Sequence, residues 1–98
     1  MPDLRTFRNR LKLRQEGARR IALLDLQRVA PEQRGEAAKI LIDHLPNETD
    51  PETWVKAVQI LGEWKVIAAR PLIEQFLNEE TPGIAEAARA ALEAIGHE

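Results

Sequence analysis

The chain contains no cysteine, serine or tyrosine, and only two phenylalanines and two tryptophans among its 98 residues. The absence of cysteine excludes disulfides, zinc–thiolate sites, iron–sulfur clusters and cysteine nucleophiles. The absence of serine excludes a serine nucleophile. So few aromatic residues and threonines disfavour a β-sheet protein. A chain without cysteine also suits a reducing compartment, and we expect a cytoplasmic protein.

Long apolar runs are also lacking. No run approaches the roughly 18 residues that a membrane span requires, and the N-terminal residues are basic where a signal peptide would have an apolar core. We therefore expect no membrane partner. Ala, Leu, Glu and Arg, which favour helices, are abundant, and 44% hydrophobic residues suffice for one core. The composition predicts a single all-α domain over residues 1–98.

Two short stretches, "HLPNETDP" at 44–51 and "FLNEETP" at 76–82, are near copies of each other. They belong to an alignment of the chain with itself at an offset of 31 residues, and a weaker copy lies upstream at an offset of 35. Periods of this size indicate stacked supersecondary units. The aligned pairs at the shorter offset include Asn47 with Asn78, Glu48 with Glu79, Pro51 with Pro82, Ala57 with Ala88 and Leu61 with Leu92.

Apolar residues recur at helical spacing in five segments, which predicts five amphipathic helices. An N-terminal stripe of Leu4, Phe7 and Leu11 predicts a further half-unit that docks on the first pair. The repeated stretches are interpreted as a helix stop followed by a helix start. Asn47 and Asn78 would end helices in a left-handed turn, and Asp50 and Thr81 would be N-caps before proline. The five predicted segments are 17–29, 33–45, 52–64, 67–77 and 83–95.

The stretches "PETWVKAVQILGEW", "RPLIEQFL" and "PGIAEAARAALEAIG" resemble HEAT-like repeats, most closely the short bacterial variety associated with phycobilisome lyase subunits. The resemblance covers residues about 16–96 and implies a right-handed α-α superhelix of about five or six short antiparallel helices. Lys65 and Val66 depart from the family's Gly-Asp, and Trp54 and Ala85 stand where its arginine is expected. The implied parts are a basic half-unit or cap (1–15), a first unit (16–46), a second unit (47–78) and a terminal helix (79–98).

Members of this family are mostly scaffolds, so the resemblance implies a non-catalytic scaffold or adaptor that binds another protein. A minority act on bilins, and an accessory subunit of a bilin-lyase-type complex is a further alternative. Trp54 is expected to be partly exposed, as tryptophans at binding hot spots are; packing against a neighbouring unit is the other interpretation. The family's concave face would carry Glu36, Lys39, Asp43, Arg70 and Glu74.

Residues suited to catalysis are few. His44 is interpreted as structural, because its sequence neighbour Asp43 does not share its helix face. The carboxylates around Glu48 and Glu79 are interpreted as complements of the dipole of the following helix. There is no glycine-rich phosphate loop. We expect no enzymatic activity, no cofactor and no metal site.

Charge is unevenly distributed along the chain. Residues 1–20 hold seven Lys or Arg and two acidic residues, a net charge of +5, and the remaining residues have a net charge of −7. This asymmetry makes nucleic-acid binding the alternative function. The acidic remainder of the chain would repel a long duplex, which favours two other interpretations of the basic segment: a contact with an acidic surface of a partner protein, or a solvated cap. The outward-facing basic patch is predicted to contain Arg5, Arg8, Lys12 and Arg19.

The last helix is apolar on almost every side, and no second helix follows it to cover that surface. Its small residues permit close approach of another helix. The sequence therefore predicts association with a partner protein or a second copy through this helix, whose apolar residues are Ile84, Ala85, Ala87, Ala88, Ala90, Ala91, Ala94 and Ile95.

Overall fold

The computed structural model describes residues 4–96, which form six α-helices and three short 3₁₀ segments without any strand. The all-α prediction is confirmed. The two ends of the predicted domain, residues 1–3 and 97–98, lie outside the described range. The α-helices are α1 (Leu4–Arg10), α2 (Glu16–Leu26), α3 (Arg34–His44), α4 (Pro51–Glu63), α5 (Arg70–Glu74) and α6 (Ile84–Ile95); the 3₁₀ segments are Pro31–Gln33, Leu45–Asn47 and Ile67–Ala69.

The start of α4 is the one that its sequence predicts. Pro51 occupies the first turn, where a missing N–H is harmless. Asp50 is the N-cap, and its carboxylate accepts hydrogen bonds from the backbone N–H of Thr53 at 2.9 Å and from the Thr53 hydroxyl at 2.6 Å. These bonds satisfy a helix-end donor that would otherwise lack a partner, so the cap fixes where α4 begins.

Helix α4 is followed by a residue in the left-handed conformation, whereas the sequence predicted such residues at Asn47 and Asn78. Val66 N–H donates to Leu61 C=O and Lys65 N–H to Gly62 C=O, both at 3.1 Å, which is the Schellman pattern. Lys65 has φ 54° and is the one non-glycine residue with positive φ between residues 4 and 96. The predicted left-handed turns at Asn47 and Asn78 are therefore wrong; Asn47 instead ends a 3₁₀ segment.

The segment around α5 differs from its prediction, and the predicted N-cap of α6 is wrong. The segment predicted over 67–77 contains only one short α-helix, which Ile67–Ala69 precedes as a 3₁₀ turn. The N-cap of α6 is Gly83, with φ 88°. Thr81 as N-cap is therefore wrong, since the turn at Gly83 delays the helix by two residues. The Glu86 carboxylate accepts a hydrogen bond from Gly83 N–H at 2.9 Å, so a backbone donor at the start of α6 has a partner without Thr81.

The helices pack into a flat body with extents of 36 × 30 × 17 Å. Helix α4 contacts α2 and, more extensively, α6, and α5 also packs on α6. Helix α4 approaches α6 closely at Gly62, where an added Cβ would lie 3.2 Å from Ala91 Cα. Helix α1 contacts α2 and α3, and its predicted stripe of Leu4, Phe7 and Leu11 is buried.

Candidate functional site

Arg19 on α2 is buried, with only 7% of its surface exposed. Its Nε and Nη2 donate to the two carboxylate oxygens of Glu48 at 3.0 and 2.8 Å. Its Nη1 donates to the backbone carbonyls of Leu13 and Arg14 at 2.7 and 2.8 Å. The prediction that Arg19 belongs to an outward-facing basic patch is wrong, because Glu48, 29 residues away in sequence, draws the guanidinium inside.

The Glu48 side chain has no exposed surface. Besides Arg19, it accepts a hydrogen bond from Asp50 N–H at 2.9 Å, and His44 Nε2 lies 2.6 Å from its Oε1. A carboxylate paired with a guanidinium is ionised and only accepts hydrogen bonds, so we assign the His44 ring proton to Nε2. The interpretation of Glu48 as a helix-dipole residue missed this network.

The electrostatics of the pair follow from its hydrogen bonds. Burial alone raises the pKa of Glu48, but the hydrogen bonds from Arg19, His44 and the Asp50 N–H outweigh it and hold the pKa below its ordinary value of 4.5. The hydrogen bond to Glu48 raises the pKa of Arg19, against the effect of burial. Both groups therefore keep their charges throughout the physiological pH range.

The pair ties together three separate parts of the chain. Arg19 belongs to α2, the two carbonyls belong to the α1–α2 connection, and Glu48 belongs to the α3–α4 connection. A buried ion pair adds little net stability, because desolvation offsets the attraction, but removal of one partner leaves an unpaired buried charge and is costly. The pair therefore holds the two connections at fixed positions on α2.

A cleft of about 610 Å³ lies between these two connections. Leu11 and Ile40 are buried in its wall, with 2% and 3% of their surface exposed. Arg19 and His44, the two partners of Glu48, also line the cleft. The rest of the lining consists of exposed residues of the N-terminal segment and of polar residues at the end of α3 and in the α3–α4 connection. These further residues are Arg8, Lys12, Leu13, Arg14, Asp43, Asn47 and Thr49.

The seven cations of residues 1–20 do not form one continuous patch. Arg10 pairs with Asp25 at 3.1 Å, and Arg20 pairs with Asp50 and Glu52 at 3.5 and 3.2 Å. Of the four residues predicted for the patch, Arg5, Arg8 and Lys12 are exposed, and the last two line the cleft. Nucleic-acid binding remains a prediction. It would depend on fewer than the seven cations present in residues 1–20.

The residues of the predicted concave face separate into two groups. Glu36, Lys39 and Asp43 are exposed on α3, and Asp43 reaches the cleft. Glu74 is exposed on α5, 3.5 Å from Arg70. Arg70 is half-buried and donates from Nη1 to the carbonyl of Gly96, at the end of α6. Arg70 thus stabilises the end of the terminal helix, and its side chain is mostly unavailable to a partner.

Trp54 is 3% exposed, so the expectation that it would be partly exposed is wrong. Its ring packs against Phe76, with centroids 4.7 Å apart and planes tilted by 50°. Phe76 lies in the connection after α5, and no local sequence pattern predicts that it covers Trp54 of α4. Within residues 4–96 the buried Trp54 Nε1 has no hydrogen-bond partner.

The terminal helix buries part of the surface that was predicted to meet a partner. Ile84, Ala88, Ala91 and Ile95 belong to the chain's own core, in which α6 packs on α4 and α5. Gly62 permits this close contact with Ala91. Association through α6 stays a prediction, and the surface available for it is the exposed side, with Glu86, Arg89, Ala90, Glu93 and Ala94.

Comparisons of this chain with protein-family models, with curated proteins and with solved structures found no match. None of the helices described here is long and apolar enough to cross a membrane. Across the described range, no three His, Cys, Asp or Glu side chains form a group that could hold a metal ion.

Proposed function

We propose that the chain is a short HEAT-like helical repeat, a right-handed α-α superhelix, that acts as a non-catalytic adaptor for another protein. Three observations support the fold assignment. The sequence repeats at 31 residues; α4, the first helix of the second unit, contacts its counterparts α2 and α6; and the Arg19–Glu48 pair joins the first helix of one unit to the start of the next. Stacked units need such contacts between neighbours.

The observation that carries the adaptor proposal is an apolar surface on α2. Ile21 and Leu24 are 56% and 48% exposed, far more than most large aliphatic residues of the described chain. They lie one turn apart, on the face opposite the buried Ala22 and Leu23. Exposed aliphatic residues on adjacent turns present the kind of surface that a partner helix buries.

Charged residues on α3 would orient the partner. Glu36, Lys39 and Asp43 are spaced at i, i+3 and i+7 and are all exposed. Such exposed charges contribute more to partner choice and association rate than to affinity. The aliphatic surface supplies the affinity in this proposal, and the α3 stripe supplies the selection of one partner over another.

A photo-crosslinking residue at position 21 tests the proposal in the source cells. The captured protein is purified, and its affinity is then measured for the wild type and for an Ile21→Lys/Leu24→Lys variant. We expect at least a tenfold loss of affinity, about 1.4 kcal/mol. Ile67→Lys is the matched control, since Ile67 is 48% exposed elsewhere on the molecule; an equal loss in both variants would contradict the proposal.

A further inference from the structure

We propose that the cleft between the α1–α2 connection and the end of α3 binds a small organic anion, the ionised carboxylate of an acid with a short aliphatic chain. This site is separate from the exposed surface of α2 and does not depend on the adaptor function. The proposal is argued from the charges at the cleft, from its apolar wall and from the contacts that hold it open.

The cleft is cationic in a chain whose net charge is −2. Arg8, Lys12 and Arg14 are exposed around it, and Asp43 is the single carboxylate among the described residues that line it. Arg19 also lines the cleft, but its charge is balanced by Glu48. The remaining excess of positive charge in a concave site attracts anions and raises their local concentration.

The wall of the cleft suits an aliphatic group. Leu11 and Ile40 form a buried apolar part, and Leu13 beside them is 47% exposed. An aliphatic ligand chain against these residues would remove Leu13 from water. A volume of about 610 Å³ is within the usual range for small-molecule sites. The described lining residues include no Phe, Tyr or Trp, and the one imidazole among them, His44, is held against Glu48. This disfavours nucleic-acid bases as the ligand, because they bind by stacking.

The cleft is held open by contacts within the chain. Arg19 binds the carbonyls of Leu13 and Arg14 on one side and Glu48 on the other. Asn47 and Thr49, the neighbours of Glu48, line the cleft. Because both sides are fixed by a buried pair, the site exists before the ligand arrives, and binding loses little conformational entropy. In this proposal the buried pair also preorganises the binding site.

Octanoate is the probe for the test, with octanol and acetate as controls that lack the charge and the chain, respectively. A titration followed by methyl and amide NMR should shift the signals of Leu11, Leu13 and Ile40 at submillimolar octanoate. Octanol and acetate should bind at least tenfold more weakly. Equal binding of octanol, or shifts spread equally over Ile21, Leu24 and Ile67, would overturn the proposal.

Charge-removing variants give a second readout. Lys12→Gln and Arg14→Gln change exposed residues, so the fold should be retained. Each should weaken octanoate binding several-fold, and the double variant about tenfold. Arg28→Gln, an exposed cation outside the cleft, is the matched control and should bind like the wild type. Unchanged octanoate affinity in the double variant would overturn the proposal even if the methyl shifts were found.

Discussion

The connections before α4 and α6 have similar sequences and different structures. In the first, the Glu48 side chain has no exposed surface and is bonded to Arg19, His44 and the Asp50 N–H. In the second, the aligned Glu79 is exposed, and its carboxylate accepts a hydrogen bond from the Thr81 hydroxyl at 3.4 Å. The glutamate of the repeated Asn-Glu pair is therefore the centre of a buried network in one connection and part of the solvated surface in the other.

The residue opposite each glutamate explains the difference. At the offset of 35 residues, Arg19 of α2 aligns with Trp54 of α4. Arg19 supplies a cation that draws the Glu48 side chain inside. Trp54 instead packs on Phe76, and both rings line a smaller cavity of about 180 Å³ together with Glu79. One connection is held by an ion pair and the other by an aromatic pair. Similar turns thus depend on distant partners for their final structure.

The largest effect is expected at the aromatic pair. Trp54→Ala should lower the free energy of unfolding by about 4 kcal/mol, because it removes a large buried side chain and leaves a cavity beside Phe76. Trp54→Phe should cost much less, since an aromatic ring remains and the buried N–H without a partner is removed. Urea unfolding followed by circular dichroism measures both; an equal loss would contradict the aromatic pairing.

The glutamates give the most direct contrast between the two connections. Glu48→Gln should cost about 3 kcal/mol, because it leaves the Arg19 charge buried without its counter-charge. Glu79→Gln changes an exposed side chain, and its unfolding curve should coincide with that of the wild type. The two variants are measured side by side by urea unfolding, and similar losses would show that the connections do not differ as described.

Acid should weaken the first connection through Glu48. The pKa of Glu48 is lower in the folded chain than its ordinary 4.5, so its contribution to stability is complete above that value and is lost as pH falls through the folded pKa. We expect the free energy of unfolding to fall below about pH 4.5. The decrease should be smaller in Glu48→Gln, whose residue 48 does not titrate; an unchanged pH profile in that variant would contradict the assignment.

The smallest effects are expected at the helix caps. Asp50→Ala should cost about 1 kcal/mol, because Asp50 accepts hydrogen bonds from both donors of Thr53. Thr81→Ala should have almost no effect, since Gly83 is the N-cap of α6 and its N–H donates to Glu86. Thermal unfolding by circular dichroism separates the two variants, and a larger loss for Thr81→Ala would restore the cap predicted from the sequence.

Local sequence patterns predicted the helices well where the signal was also local. The apolar period located α3, α4 and α6 to within one or two residues, and Asp50 before Pro51 marked the start of α4 correctly. The stripe on α1 was buried as expected. Left-handed residues were less predictable, because Lys65 adopts a conformation that asparagine and glycine normally favour.

The candidate site was mostly beyond the reach of sequence patterns. Arg19 and Glu48 are 29 residues apart, and no periodicity indicates that they pair. Trp54 was predicted to be exposed for the same reason, since Phe76 covers it from another part of the chain. The cleft was missed because it forms between two connections, whose residues were interpreted separately as a basic patch and as helix caps.

The central claim is that Arg19 and Glu48 act as one unit, and a double-mutant cycle tests it most directly. Urea unfolding is measured for the wild type, Arg19→Met, Glu48→Gln and the double variant. Loss of the carbonyl contacts of Arg19 cancels in such a cycle, so the pair itself is isolated. We predict that the double variant loses about 2 kcal/mol less than the sum of the single losses. Additive losses would contradict the claim.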